Sequence, residues 1–254
     1  MEHVDVVVIG AGQSGLAAAH ALRGRGLRPV VLEASERATG SWPRYYDSLT
    51  LFSPARYSSL PGMPFPGGDR DRHPHRDEVV AYPAAYADRL DADIRTGRRV
   101  SAVRRGEGGF EVELEGGERM AARAVVAASG TFGRPHRPAL PGLEEFTGTV
   151  PHAARYRNPA PFAGQRVVVV GAGNSAVQIA AELARTARVT LAGRAPVRFA
   201  RRRIAGRDLH FWTKYTGLDA APLGGLLREV PPRPVIDDGR YRTALAQGAP
   251  DRRP

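Results

Sequence analysis

Apolar residues in this chain gather into short β-branched runs, each followed by glycines and then by a stretch of helical period. The first run, Val4 to Ile9, is continuous rather than alternating, which predicts a strand buried on both faces as in a parallel sheet. Ser14 to Arg23 follows with Leu16, Ala19 and Leu22 on one helical face, and Gly24 and Gly26 stop it. Pro29 to Leu32 reads as a second strand that ends at Glu33. Together they predict one βαβ unit.

From Glu36 to Arg76 the periodicity lapses into Pro, Gly, Tyr and Arg, an irregular insertion long enough to imply a functional loop. Asp77 to Leu90 has helical character, with Pro83 expected to kink or split it. Ile94–Thr96, Arg99–Arg104 and Phe110–Leu114 read as strands, and Ala124–Ala128 as another buried strand closing on Ser129 and Gly130. Prolines then punctuate a crossover from Pro135 to Pro161. Beyond it the opening pattern recurs: a strand at Arg166–Val170, glycines, a helix at Asn174–Arg185 and a strand at Arg188–Ala192. Past Arg194 the period is weak, so the segment 195–254 is expected to be irregular. The fold class that follows is α/β, with two Rossmann-like three-layer units: residues 1–150, carrying the insertion 36–76, and residues 151–254.

The two glycine clusters explain why the repeat exists. A turn without side chains lets the backbone approach a pyrophosphate, and the amides and dipole of the following helix favour the anion. Gly10, Gly12 and Gly15 give G-x-G-x-x-G, with Gln13 and Ser14 opening the helix, and Gly171, Gly173 and Ala176 give G-x-G-x-x-A, with Asn174 and Ser175 in the same place. Glu33, at the end of the second strand, is placed to accept from ribose hydroxyls and to repel a 2′-phosphate, which favours FAD or NAD; the alternative is a surface carboxylate at a strand end. Arg194 stands at the matching distance in the second copy, where a cation suits the 2′-phosphate of NADP, although Arg198 and Arg201 are near enough to serve instead.

Composition narrows the chemistry further. The 254 residues contain no cysteine, which excludes a mechanism that passes electrons through a cysteine pair. The formal charge is +11, and Lys214 is the only lysine among 37 basic residues. These arginines are scattered, without aromatic interleaving or a nucleic-acid module, so no nucleic-acid partner is expected. No apolar run reaches the length of a membrane span, no leader is evident, and a cytoplasmic location is expected. No clustered His, Asp and Glu has metal-ligand spacing, so no metal is expected.

Further motifs give the chain a family. Thr39, Gly40, Ser41 and Trp42 resemble a G-G-x-W turn, and Phe146, Gly148, His152 and Tyr156 reproduce F-x-G-x-x-x-H-x-x-x-Y just before the second repeat. In these motifs the chain resembles the class B flavin-dependent monooxygenases, and most of all the bacterial cation-efflux-associated flavoprotein oxidoreductases, whose Asn174, Ser175 and Gly206–Leu209 equivalents are alike. Tyr156 stands where the Baeyer-Villiger subgroup generally has tryptophan, and Phe52 where eukaryotic flavin-containing monooxygenases have asparagine.

The resemblance implies FAD held by the first unit, with Gly40, Ser41, Trp42, Ser129 and Gly130 beside it, and NADPH held by the second. NADPH would reduce FAD, O₂ would add as a peroxyflavin, and a small substrate would take one oxygen. His152 would be the tentative catalytic residue, while its bare chemistry reads more often as a hydrogen-bonded linker histidine. Family members continue past this chain's length to complete the FAD domain, so the resemblance also implies an apparently C-terminally truncated relative, with a nucleotide-binding fragment as the alternative to an active enzyme.

Overall fold

A computed structural model describes residues 1–218, 220–221 and 234–253. The chain divides into two compact units, residues 1–51 with 55–156, and residues 52–54 with 157–254. The division thus falls six residues beyond the expected 150, and three residues of the insertion sort with the second unit.

In the first unit β1 (Glu2–Ile9), α1 (Gln13–Arg23) and β2 (Pro29–Leu32) form the βαβ unit, followed by α2 (Arg76–Arg89), β3 (Asp93–Arg95), β4 (Val100–Gly106), β5 (Gly109–Leu114) and β6 (Arg119–Ala127). They make one sheet in the order β3-β2-β1-β6-β5-β4. The first four strands are parallel and the β4–β5 hairpin is antiparallel. On one face Val8 and Val31 pack against Leu16 and Ala19 of α1 and Tyr86 of α2. On the other, Val7, Val30 and Leu32 meet Val112 and Leu114 of the hairpin and Met120 of β6. Leu16 is fully buried, and its truncation to alanine would cost about 2–5 kcal/mol.

Pro83 does not split its helix: α2 runs unbroken over 14 residues. The carboxylate of Glu78 accepts from the His75 amide at 3.0 Å in the first turn, and Tyr82, Pro83 and Tyr86 are buried on one face. That packing offsets the hydrogen bond a proline forfeits. The same tyrosines order the insertion. The Tyr82 hydroxyl accepts from the Leu60 amide at 2.7 Å and the Tyr86 hydroxyl donates to the Pro61 carbonyl at 2.8 Å, while Ala55 and Phe65 pack with Val79 and Tyr82.

β6 begins five residues before the expected strand, because Arg119–Ala122 extends far enough to pair with β5. Its later half pairs with β1 alone among the described strands, so Ala124 and Ala127 are exposed rather than buried.

The second unit repeats the theme with β7 (Arg166–Val170), α3 (Asn174–Leu183) and β8 (Arg188–Ala192). Its three-stranded sheet has the order β13-β8-β7, all parallel, where β13 is Asp251–Arg253. β7 is an edge among the described strands, and one of its faces is open: Val168 and Val170 are 64% and 57% exposed.

The expectation of an irregular segment 195–254 is corrected. It contains β9 (Phe199–Arg201), β10 (Arg203–Ile204), β11 (Arg207–Asp208), α4 (Leu209–Tyr215), β12 (Val235–Asp237) and α5 (Arg240–Ala246), besides β13. Strands of two or three residues carry no readable period, and β13 is polar and exposed. Local capping holds the two short helices: Asp208 accepts from the His210 amide at 2.8 Å, and buried Asp237 accepts from the amides of Tyr241 and Arg242 at 3.1 Å each. Pro222, Pro231 and Pro232 lie outside the described residues.

Candidate cofactor sites

The turn after β1 is built so that only glycine fits. A Cβ on Gly15 would stand 1.8 Å from the Gly10 carbonyl oxygen, and one on Gly10 would meet the Ala128 carbonyl oxygen at 2.6 Å, in a backbone conformation of φ +102° that disfavours side chains. Gly12 is the N-cap of α1 and no side chain caps that helix. Its first amides therefore keep their capacity to bind an anion. Gln13 and Ser14 are exposed in this first turn.

Glu33 is no surface carboxylate. It is 8% exposed, with Oε2 accepting from the Ala11 amide at 2.7 Å and Oε1 from the Ser35 amide at 2.9 Å and the Ser35 hydroxyl at 2.7 Å. The carboxylate is thus tied to the glycine turn itself, and Oε2, with one bond accepted, keeps a further lone pair for a ribose hydroxyl.

The segment 39–42 and the end of β6 close around the same turn. A Cβ on Gly12 would lie 3.5 Å from the Gly40 Cα, one on Gly40 2.8 Å from the Gly12 Cα, and one on Gly130 3.9 Å from the Ser41 Oγ. Ser129 Cα lies 3.4 Å from the position of a Gly10 Cβ. Gly10, Gly12, Gly15, Glu33, Gly40, Ser41, Ser129 and Gly130 therefore converge in one cradle, in which a side chain at Gly10, Gly15 or Gly40 would strike backbone. Trp42 continues from it into an aromatic run, with its ring 5.1 Å from Tyr45, which is 4.4 Å from Phe132. Burial raises the Tyr45 phenol above its usual range, so it is a neutral hydroxyl. Sequence reasoning missed Tyr45 and Phe132, since nothing in their spacing marks them.

The turn after β7 has the same form and a looser fit. A Cβ on Gly171 would meet the methyl of Ala176 at 3.2 Å, and nothing lies within 4 Å of one on Gly173, which caps α3 without a side-chain bond. Asn174 is half-buried, its Oδ1 accepting from the Ile236 amide at 3.3 Å, and Ser175 is exposed. Arg194 is exposed just past β8, and among the described residues its guanidinium has no ion-pair partner.

The fingerprint before the second repeat has a structural logic. A Cβ on Gly148 would strike the Phe146 ring at 2.4 Å, so the glycine makes room for that ring, itself 59% exposed. His152 Nδ1 accepts from the Ala154 amide at 3.1 Å and caps a short 3-10 turn, as a linker histidine does. Tyr156 is buried, its ring 6.0 Å from Tyr46.

Known proteins share this architecture. The profile of the pyridine nucleotide-disulphide oxidoreductase family matches residues 7–214. A solved flavin-containing monooxygenase from Stenotrophomonas maltophilia superposes with a TM-score of 0.84 at 36% identity, over 100% of this chain and 70% of its own. The chain belongs to that oxidoreductase family, on its flavin monooxygenase branch. Among curated proteins, an indole-3-pyruvate monooxygenase, YUCCA1 of Oryza sativa subsp. japonica, is 40% identical over 182 residues, 70% of this chain and 45% of its own length. An uncharacterised CzcO-like oxidoreductase of Geobacillus kaustophilus is 36% identical over 221 residues, 86% of this chain and 62% of its own. The chain thus spans about half the length of the curated relatives it matches. The family's name includes disulphide chemistry, for which a chain with no cysteine has no thiols.

Proposed function

We propose that this chain is an FAD- and NADPH-dependent oxidoreductase of monooxygenase type, acting on a small organic substrate with O₂. The observation that carries the reading is the pair of uncapped glycine turns with opposite charge at their ribose ends, a buried Glu33 at one and an exposed Arg194 at the other. The first cradle suits FAD: the amides at the start of α1 hold the pyrophosphate, Glu33 accepts from the adenosine ribose, and Gly40, Ser41 and Gly130 leave space on the flavin side. The second suits NADPH, with the amides at the start of α3 on its pyrophosphate and Arg194 on its 2′-phosphate. When bound, flavin would supply the redox chemistry between nicotinamide and O₂. The chain binds, orients and excludes water. His152, committed to a cap through Nδ1, acts by positioning the linker.

A second reading, nucleotide binding without turnover, is favoured by the open strand edges, where Val168 and Val170 of β7 stand exposed. One experiment separates the two. Protein loaded with FAD and freed of excess cofactor should keep a visible flavin band, and NADPH should then be oxidised with consumption of O₂. A retained band with no NADPH oxidation would favour the second reading. A colourless protein would overturn the assignment of the first cradle.

A further inference from the structure

The arginines are spread through both units, but the carboxylates are not. Residues 1–51 with 55–156 carry 20 basic and 19 acidic side chains, whereas residues 157–254 carry 17 basic and 7 acidic. The +11 of the chain therefore resides almost entirely in the second unit. A field of one sign on this scale draws anions toward one part of a protein.

The imbalance is sharpest between Ala195 and Leu218, where Asp208 is the only carboxylate among five arginines and the chain's only lysine. The Asp208 side chain is 10% exposed and is committed to the cap of α4 and to the His210 ring. Arg198, Arg201, Arg203, Arg207 and Lys214 are exposed, and among the described residues the first four have no ion pair.

Apolar groups stand in the same place. β10 and β11 form a hairpin, with Arg203 opposite Asp208 and Ile204 opposite Arg207, and Ala205 and Gly206 turn it in left-handed conformations of φ +47° and +73°. Ile204, beside the tip, is 46% exposed, and Tyr215 of α4 is 69% exposed. Neither belongs to a loose loop. The Trp212 indole donates to the Ile204 carbonyl at 2.9 Å, the Phe211 ring packs against Trp212 and Tyr215 at 5.2 and 4.5 Å, and the Arg207 guanidinium lies 5.2 Å over Phe211. The fold thus ties hairpin to helix and still presents an isoleucine between two exposed arginines.

We propose that the β10–β11 hairpin and α4 dock on the surface of a lipid bilayer with anionic headgroups, a peripheral contact without a spanning segment. The cations meet the headgroup phosphates, Ile204 enters the boundary of the acyl chains, and Tyr215, apolar in its ring and polar at its hydroxyl, sits at headgroup level. Charge alone would also suit a nucleic acid. An aliphatic side chain beside the tip, however, gains nothing on a phosphate backbone and gains burial on entering lipid. Hairpin and helix belong to neither glycine turn, so this surface stands whether or not the oxidoreductase reading does.

The test is co-sedimentation of the whole chain with vesicles at low salt. The protein should pellet with vesicles of phosphatidylcholine and phosphatidylglycerol in equal parts, stay in solution with phosphatidylcholine alone, and be released as salt is raised. Arg203→Gln should weaken binding about fivefold, the worth of one cation near an anionic surface. Ile204→Thr, which keeps the branched shape, should weaken it by a similar factor. Both should leave the melting temperature unchanged, because both side chains are exposed. Undiminished binding by the Ile204→Thr variant would mean adsorption by charge without insertion and overturns the proposal, as does pelleting with neither kind of vesicle or equally with both. Complete displacement from the vesicles by single-stranded RNA at equal phosphate concentration overturns it in favour of a nucleic acid.

Discussion

The two glycine turns share a motif and differ in how tightly the fold grips them. After β1, two positions of the motif exclude any side chain, Gly15 against the Gly10 carbonyl and Gly10 against the end of β6, and the third, Gly12, is in contact range of Gly40. After β7, position 176 already carries a methyl and position 173 is open on all sides. The ribose ends differ likewise, since Glu33 is buried with both oxygens engaged and Arg194 is exposed without an ion-pair partner among the described residues. The first turn is a preformed socket and the second an open platform. A socket suits a cofactor that stays through many turnovers, and a platform one that exchanges in each.

The most severe way to break this contrast is Gly15→Ala. The added carbon has backbone on one side and α1 on the other, with 1.8 Å where contact needs over 3 Å, so α1 must move off β1. Overpacking of this kind costs about 1–3 kcal/mol and more where backbone must yield. We expect a lower melting temperature and loss of the flavin band; an unchanged band would show that the socket is looser than its geometry.

Glu33→Gln should come next. One amide oxygen can replace one carboxylate oxygen, but the NH₂ must then face a donor, either the Ala11 amide or the Ser35 pair. Leaving a buried donor unsatisfied costs about 1–3 kcal/mol. Thermal unfolding of the flavin-free variant should register the loss, because these bonds exist without cofactor. If stability held and only FAD affinity fell, the carboxylate would matter for the ribose alone.

Arg194→Ala should leave stability untouched and weaken NADPH about 10- to 100-fold, the worth of one or two charge-assisted hydrogen bonds, with little change for NADH. Equal losses for the two nucleotides would move the 2′-phosphate contact to Arg198 or Arg201.

What could be read in the sequence follows from how each feature is encoded. Both βαβ units were legible because continuous valine runs and glycine spacing are local signals, and so were the places of Glu33 and Arg194 just past the second strand of each. The engagement of Glu33 by Ala11 and Ser35 was not, since it depends on the curl of two loops. Pro83 misled because its helix is held by Tyr82 and Tyr86, whose partners at Leu60 and Pro61 lie over twenty residues away. The short strands after Arg194 were invisible for a different reason. Their registers are set by neighbours, as when polar Asp251–Arg253 pairs along β8, and no apolar period marks them.

The smallest expected effect is the most discriminating between socket and platform. Ala176→Gly gives the second turn the motif of the first, so similarity of sequence alone would make the variant bind nucleotide as the first turn does. The structure argues otherwise. Gly171 itself has no side chain to meet the Ala176 methyl, so the substitution chiefly adds backbone freedom near the start of α3. That costs about 0.5–1 kcal/mol of stability. NADPH affinity should change less than threefold, because the amides at the start of α3 and Arg194, the contacts proposed for it, are unaltered. A large gain in affinity would mean that helix and strand close up once the methyl is gone, and that a single carbon is what keeps the second turn open.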